Sequence, residues 1–220
     1  MKIKPPKLLV FDFDGTLSCV SSCNFINNQN RINGFKFASE LYSAYNVPVP
    51  LILGSMNVDN FISYFSNLNK SRNLCIATFG SKAVDLVFLN KIFNSANFSL
   101  DNIINECMNN DLKESYIQVG NKNEYIKILI IDPLIQSQYT NLKIPLCPDG
   151  FNLDKNTMIK LAQNFYKIEK NNNVVLIDDM AYNCKQAELQ NYQTLNVINT
   201  GITRTVNSTF ISLFDKYKLY

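Results

Sequence analysis

Leu8-Leu9-Val10-Phe11-Asp12-Phe13-Asp14-Gly15-Thr16 decides the reading of this chain. Four apolar residues without a polar interruption predict a short strand buried on both faces. The run stops at two carboxylates two positions apart, which a strand places on the same side. Gly15 allows a sharp turn, since it has no Cβ to clash there. An acidic turn after a strand is the plain alternative. Average composition makes this pentapeptide about a one-in-several-hundred coincidence in a chain of this length.

Two further strands predicted downstream end in polar residues of the same kind. Asn73 to Thr78 is followed by a Gly80-Ser81 turn, with Ser81 placed to cap a helix over Lys82 to Phe93. Val174 to Ile177 ends at Asp178-Asp179. A fourth apolar stretch, Tyr125 to Ile131, also reads as a strand, and Thr194 to Ile198 as a last one. Apolar spacing predicts helices over Ile32 to Tyr45, Val58 to Leu68, Asn183 to Gln190 and Phe210 to Tyr217. Asp154 or Asn156 caps another that runs through Phe165 and Ile168. Strands alternating with helices define an α/β protein with a doubly wound parallel sheet. Ligands of such sheets bind beyond the carboxyl ends of the strands, so Asp12, Thr78 and Asp178-Asp179 are expected to converge.

Composition excludes several chemistries. The chain has 220 residues, enough for one domain with a modest insertion, and no histidine. A Ser-His-Asp triad, a Cys-His dyad and a His-ligated zinc site are therefore impossible. Six cysteines lie at irregular positions, and only Cys19 and Cys23 are close, so they read as ordinary reduced thiols. No cysteine opens a C-x5-R loop, which removes the thiol mechanism of tyrosine phosphatases. The net charge is +3 and its basic residues are scattered, which argues against nucleic acid. About one residue in seven is Asn, in runs that read as solvated turns. No stretch is apolar enough for a signal peptide or a membrane span, and a reduced cytoplasm is the expected compartment. The chain is read as a single domain over 1–220. Residues 18–70 hold a short flap or helical insertion, and 100–150 a small lid or an edge addition to the sheet.

These residues suggest phosphoryl chemistry. Asp12 is the candidate nucleophile, attacking phosphorus in line. Asp14 is the candidate acid for the leaving oxygen and then the base for water. Four gathered carboxylates repel one another without a cation. Magnesium suits them, being hard, oxygen-seeking and content with few protein ligands. Thr78, with the Phe79 amide, is placed to bond a phosphate oxygen, and Phe13 is counted with this phosphate-binding set. A cation should complete the clamp: Lys155 is the first choice and Lys160, about one turn further on, the second.

In order and strand-end placement, the Asp12 box, Thr78, Lys155 and Asp178-Asp179 resemble the four motifs of the haloacid dehalogenase (HAD) phosphatase superfamily. The resemblance implies a Rossmann-like three-layer core and an aspartyl-phosphate intermediate. It implies metal ligation by the Asp12 side chain, the Asp14 backbone carbonyl and Asp179, with Asp178 binding directly or through water. Asp14 sets the chain apart from the dehalogenases of that superfamily, which lack an acid there. Asp178-Asp179-Met180-Ala181-Tyr182-Asn183 resembles the magnesium-dependent phosphatase-1 group. Members of that group carry little or no cap and are associated with phosphotyrosine. The expectation is therefore a phosphatase acting on phosphotyrosine in a protein. The alternatives are a small-molecule phosphatase, for sugar or nucleotide phosphates, with a lid from 100–150, and an inactive phosphoprotein-binding scaffold.

Overall fold

The computed structural model describes residues 6–14, 16–17, 58–80, 86, 89, 111–120, 125–140 and 154–196. The helices expected over 32–45 and 210–217 lie outside them. So do most of the helix expected over 82–93, the segment 18–57, and Cys19 and Cys23.

Strand β1 (Leu8–Phe11) is buried along its whole length, as its unbroken apolar run requires. It lies between two parallel neighbours, β2 (Asn73–Ala77) and β5 (Val174–Asp178), with Leu8 opposite both Asn73 and Val174. Beyond β2 come β4 (Tyr125–Ile131), parallel, and β3 (Tyr116–Gly120), antiparallel. Beyond β5 lies β6 (Gln193–Asn196), also parallel. The six-stranded order is β3-β4-β2-β1-β5-β6. The chain thus winds outward in both directions from β1, and the crevice between the two windings opens just past Phe11.

Side chains alternate across the sheet and divide its core. Leu8, Val10, Cys75, Ala77, Leu129 and Ile131 join Met158, Ile159 and Ala162 of helix α3 (Lys155–Phe165) in one apolar cluster. Phe11, on the alternate register, packs on Phe65 of helix α1 (Val58–Ser71), with ring centroids 5.2 Å apart. Helices therefore cover both faces, in the three-layer α/β/α arrangement expected from the sequence. Helix α2 (Pro133–Thr140) and helix α4 (Ala181–Leu189) add Ile135 and Ala187 to the α3 side. Each fully buried Leu, Ile or Phe contributes about 1.5–3 kcal/mol. Cys75 and Cys184 are buried free thiols, and burial pushes Cys184 up to about 12. No described helix is long and apolar enough to cross a membrane.

The element boundaries depart from the pattern at identifiable places. Helix α3 ends at Phe165 and does not reach Ile168. Lys167 adopts φ 54, and the Ile168 and Lys167 amides donate back to Gln163 and Asn164 carbonyls. This is a Schellman closure with a lysine where glycine is usual. Asn191 (φ 61) closes α4 in the same way. Strand β3 escaped the periodic reading, although Ile117 and Val119 point inward while Tyr116 and Gln118 face out. One-sided alternation suits an edge strand. Within 100–150, β4 and β3 extend the sheet to its edge, and α2 follows, with Pro133 at its first position. Residues 101–110, 121–124 and 141–150 lie outside the described set.

Candidate active site

Asp12 leaves β1 with its amide donating to the Ile177 carbonyl at 2.8 Å, so β5 fixes the exit of the nucleophile candidate. The chain then bends at Phe13, whose carbonyl accepts from Thr16 and Leu17 amides. Phe13, Thr16 and Leu17 are buried beneath this turn. Carboxylate oxygens of Asp12, Asp178 and Asp179 come within 4.8 Å of one another, whereas Asp14 stands outside this group. Of the four carboxylates expected to gather, Asp12, Asp178 and Asp179 form this group.

Lys155 completes the group. Asp154 caps α3, its carboxylate accepting from the Asn156 amide and the Thr157 hydroxyl at 3.0 Å each. That cap puts Lys155 at the first helical position. A lysine there meets the positive end of the helix dipole, an unfavourable place by itself. Its environment compensates. Lys155 Nζ donates to Asp12 Oδ1 at 2.6 Å and to the Ala77 carbonyl at 2.5 Å. It lies 3.7 Å from Asp178 Oδ2 and 4.3 Å from the Phe79 ring centroid. Burial pulls the amine down, but Asp12 and Asp178 outweigh it and hold Lys155 above the usual amine range. Lys155 is 3% exposed, whereas Lys160 lies on the solvent face of α3. Of the two lysines considered, only Lys155 meets the acids.

Asp178 is wholly buried and firmly held. Its Oδ1 accepts from the Met180 amide at 2.8 Å, and Asn183 Nδ2 reaches both of its oxygens at 3.1 and 3.2 Å. Asn196 Nδ2 ties the Asp178 and Asp179 carbonyls from β6. Asn183 and Asn196 had no assigned role in the sequence reading. Their signal is weak in a chain so rich in Asn, although Asn183 sits one helical turn after the acid pair. Thr78 follows β2 with its amide on the Ile131 carbonyl, and its hydroxyl oxygen accepts from the Gly80 amide at 2.9 Å. That bond leaves the hydroxyl hydrogen for another acceptor. Phe79 lies beside it, over Lys155.

The acids carry the strain expected of gathered charges. Burial, then the charges of Asp12 and Asp178, raises Asp179 to about 6, and burial raises Asp178 in the same direction against the pull of Lys155. Three carboxylates gathered within 4.8 Å, two of them pushed up by burial and by one another, with one cation among them, fit a divalent metal ion. A test follows for the metal-free protein. Its folded Asp179 takes a proton near pH 6, and its unfolded Asp179 near pH 4. The folded state then binds more protons in that window, so stability is full below it and falls as pH rises through about 6. With EDTA present, the melting temperature at pH 5 should exceed that at pH 7.5 by a few degrees, about 2–4 °C per kcal/mol. Asp179→Asn should flatten the difference, and an unchanged slope would count against the cluster.

No family model matches the chain, and no curated protein matches it. Among solved structures, the chain is similar to a HAD family enzyme from Bacteroides thetaiotaomicron, described as a magnesium complex. The two share 13% identity, with 88% of this chain and 93% of that chain covered, at a TM-score of 0.42. The fold class rests on the sheet itself: a mostly parallel six-stranded α/β core with acids gathered at the strand ends around one buried lysine.

Proposed function

We propose that this chain is a magnesium-dependent phosphomonoester hydrolase working through an aspartyl-phosphate on Asp12. The observation that carries this reading is the Lys155 ammonium 2.6 Å from Asp12 Oδ1, within a group of three strand-end carboxylates. Asp12 Oδ2 accepts no hydrogen bond among the described residues and is the oxygen left for attack. It forms a bond to phosphorus while the ester P–O bond breaks, and the departing oxygen takes the Asp14 carboxyl proton. Water then attacks the phospho-aspartate, giving its proton to the Asp14 carboxylate, and inorganic phosphate leaves as Asp12 is restored. Lys155 and the Thr78 hydroxyl stand ready to bond phosphate oxygens. Asp12, Asp178 and Asp179 would hold magnesium, with the Asp14 carbonyl added by the family pattern. The ion supplies Lewis acidity and relief of repulsion between a phosphate dianion and the carboxylates.

The substrate class we infer is phosphotyrosine on a protein, supported by the likeness of Asp178 to Asn183 to the phosphatase-1 group. Phosphotyrosine peptides should exceed phosphoserine peptides and a panel of sugar and nucleotide phosphates in kcat/KM, each measured with magnesium. A metabolite that wins this comparison overturns the substrate reading but keeps the chemistry. Excess EDTA should abolish hydrolysis and magnesium should restore it. Full turnover in chelator would take the metal out of the mechanism.

A further inference from the structure

At the amino end of β2, the opposite end from Thr78, residues of α1, β3 and β4 line a hollow of about 240 Å³. Lys70, Arg72 and Lys127 line it, with the rings of Tyr116, Tyr125 and Tyr166, and no lining residue carries a carboxylate. Three like charges around one hollow repel unless something answers them. Nothing among the described residues does. Lys70 Nζ reaches only the neutral Asn67 side chain, at 3.3 Å, and Arg72 Nη1 only the Ser71 carbonyl, at 2.6 Å. Between described residues, the ion pairs are those of Lys155 with Asp12 and Asp178.

Two polar atoms of the lining residues are in a worse position. Arg72 Nε and the Ser66 hydroxyl oxygen are shut off from solvent without a hydrogen-bond partner among the described residues. A buried donor left unmet costs about 1–3 kcal/mol. Burial also draws the Arg72 guanidinium below its usual range, with no opposing pull from an acid. The rings are equally poised. Tyr116 sets its ring edge-on against Tyr166, with centroids 5.9 Å apart, yet remains 38% exposed, and Tyr125 is 40% exposed. Aromatic faces beside a guanidinium suit a flat ring, and a guanidinium suits phosphate.

We propose that this hollow binds a small phosphate monoester carried on a flat ring, of the nucleoside- or aryl-monophosphate class. The dianion answers the three cations, and its oxygens accept from the guanidinium and ammonium groups that line the hollow. The volume, smaller than the roughly 300–1,000 Å³ of sites for drug-sized ligands, restricts the ring part to a single small system. This site stands apart from Asp12 and does not depend on the proposed hydrolase activity.

The test is calorimetric titration of the full chain in EDTA with AMP, phenyl phosphate, adenosine and inorganic phosphate. AMP or phenyl phosphate should bind about tenfold or more tightly than adenosine or phosphate alone. AMP as the tighter of the two identifies a nucleoside source, and phenyl phosphate an aryl one. The double variant R72Q/K127Q should weaken binding at least about tenfold. Tyr125→Ser, at the 40% exposed first position of β4, should weaken it too and covers the case in which the double variant fails to fold. 8-Azido-AMP should label the peptides carrying Tyr116, Tyr125 or Lys127. The proposal is overturned if neither monophosphate saturates, if adenosine binds as tightly as AMP, if the folded variants bind like the parent, or if the label falls on Asp12 or Lys155.

Discussion

Asp12→Asn should lower turnover by at least about 10⁴-fold, or about 5 kcal/mol in barrier, while the protein still folds. Asn keeps the shape of the side chain, and its amide oxygen can still accept from Lys155. What it lacks is a carboxylate able to form a stable bond to phosphorus. The charge balance also favours folding. Loss of the Asp12 charge removes one partner of Lys155, but it also removes repulsion on Asp178 and Asp179, which both feel Asp12. Acid quenching with labelled substrate should trap a hydroxylamine-sensitive phospho-enzyme in the parent and none in the variant. Asp14→Asn should differ in kind. An ester with a good leaving group needs little protonation, so phospho-enzyme should still form and then persist, because the base for water is gone. Parent-level turnover by Asp12→Asn would remove the nucleophile assignment.

The parts of this design that could be read from residues are those where local pattern and tertiary role coincide. Leu8 to Phe11 is apolar because both sheet faces are covered, and that cause acts at the same positions as its effect. The same holds for Asn73 to Ala77 and Val174 to Ile177. Lys155 was legible as a candidate through its place at the start of a predicted helix about two dozen residues before Asp178, and Asp154 proves to be the cap of that helix. Other features depend on distant partners. Strand β3 exists because β4 offers it an edge, and its five residues carry only a one-sided alternation. Lys167 ends α3 through a left-handed backbone that its residue type does not announce. Asn183 works by gripping Asp178, yet it is one Asn in a chain where Asn is common.

Two observations assign Lys155 more than a phosphate clamp. It is nearly fully buried at the unfavourable end of a helix dipole, and its pKa is raised despite that burial. Both follow if the ammonium is the resident counter-charge of the acid cluster. In that role it holds Asp12 through a 2.6 Å hydrogen bond and stands 3.7 Å from Asp178 before any divalent ion arrives. The cluster is then partly neutral in the metal-free protein, and folding need not wait for metal. Lys155 also joins three elements, since it stands on α3, bonds the end of β2 through Ala77, and bonds Asp12 beyond β1.

Lys155→Met therefore tests structure and chemistry together. Breaking a buried pair by removing one partner costs about 3–5 kcal/mol, because the other charge stays buried and unmatched. At about 2–4 °C per kcal/mol, the metal-free variant should melt roughly 10 °C lower than the parent. Magnesium should restore more of that loss than it adds to the parent, since it replaces the missing positive charge. Catalysis should not follow: kcat/KM with saturating magnesium should remain about 10²–10³-fold low, the usual cost of one preorganised donor. Lys155→Arg should not rescue it, because a planar guanidinium cannot repeat the compact reach to both Asp12 and the Ala77 carbonyl. Lys160→Met, on the exposed face of the same helix, should change stability by less than about 0.5 kcal/mol and leave turnover intact. If Lys155→Met lost stability but kept parent turnover once magnesium was bound, Lys155 would be a counter-charge alone, and the phosphate clamp would have to be sought elsewhere.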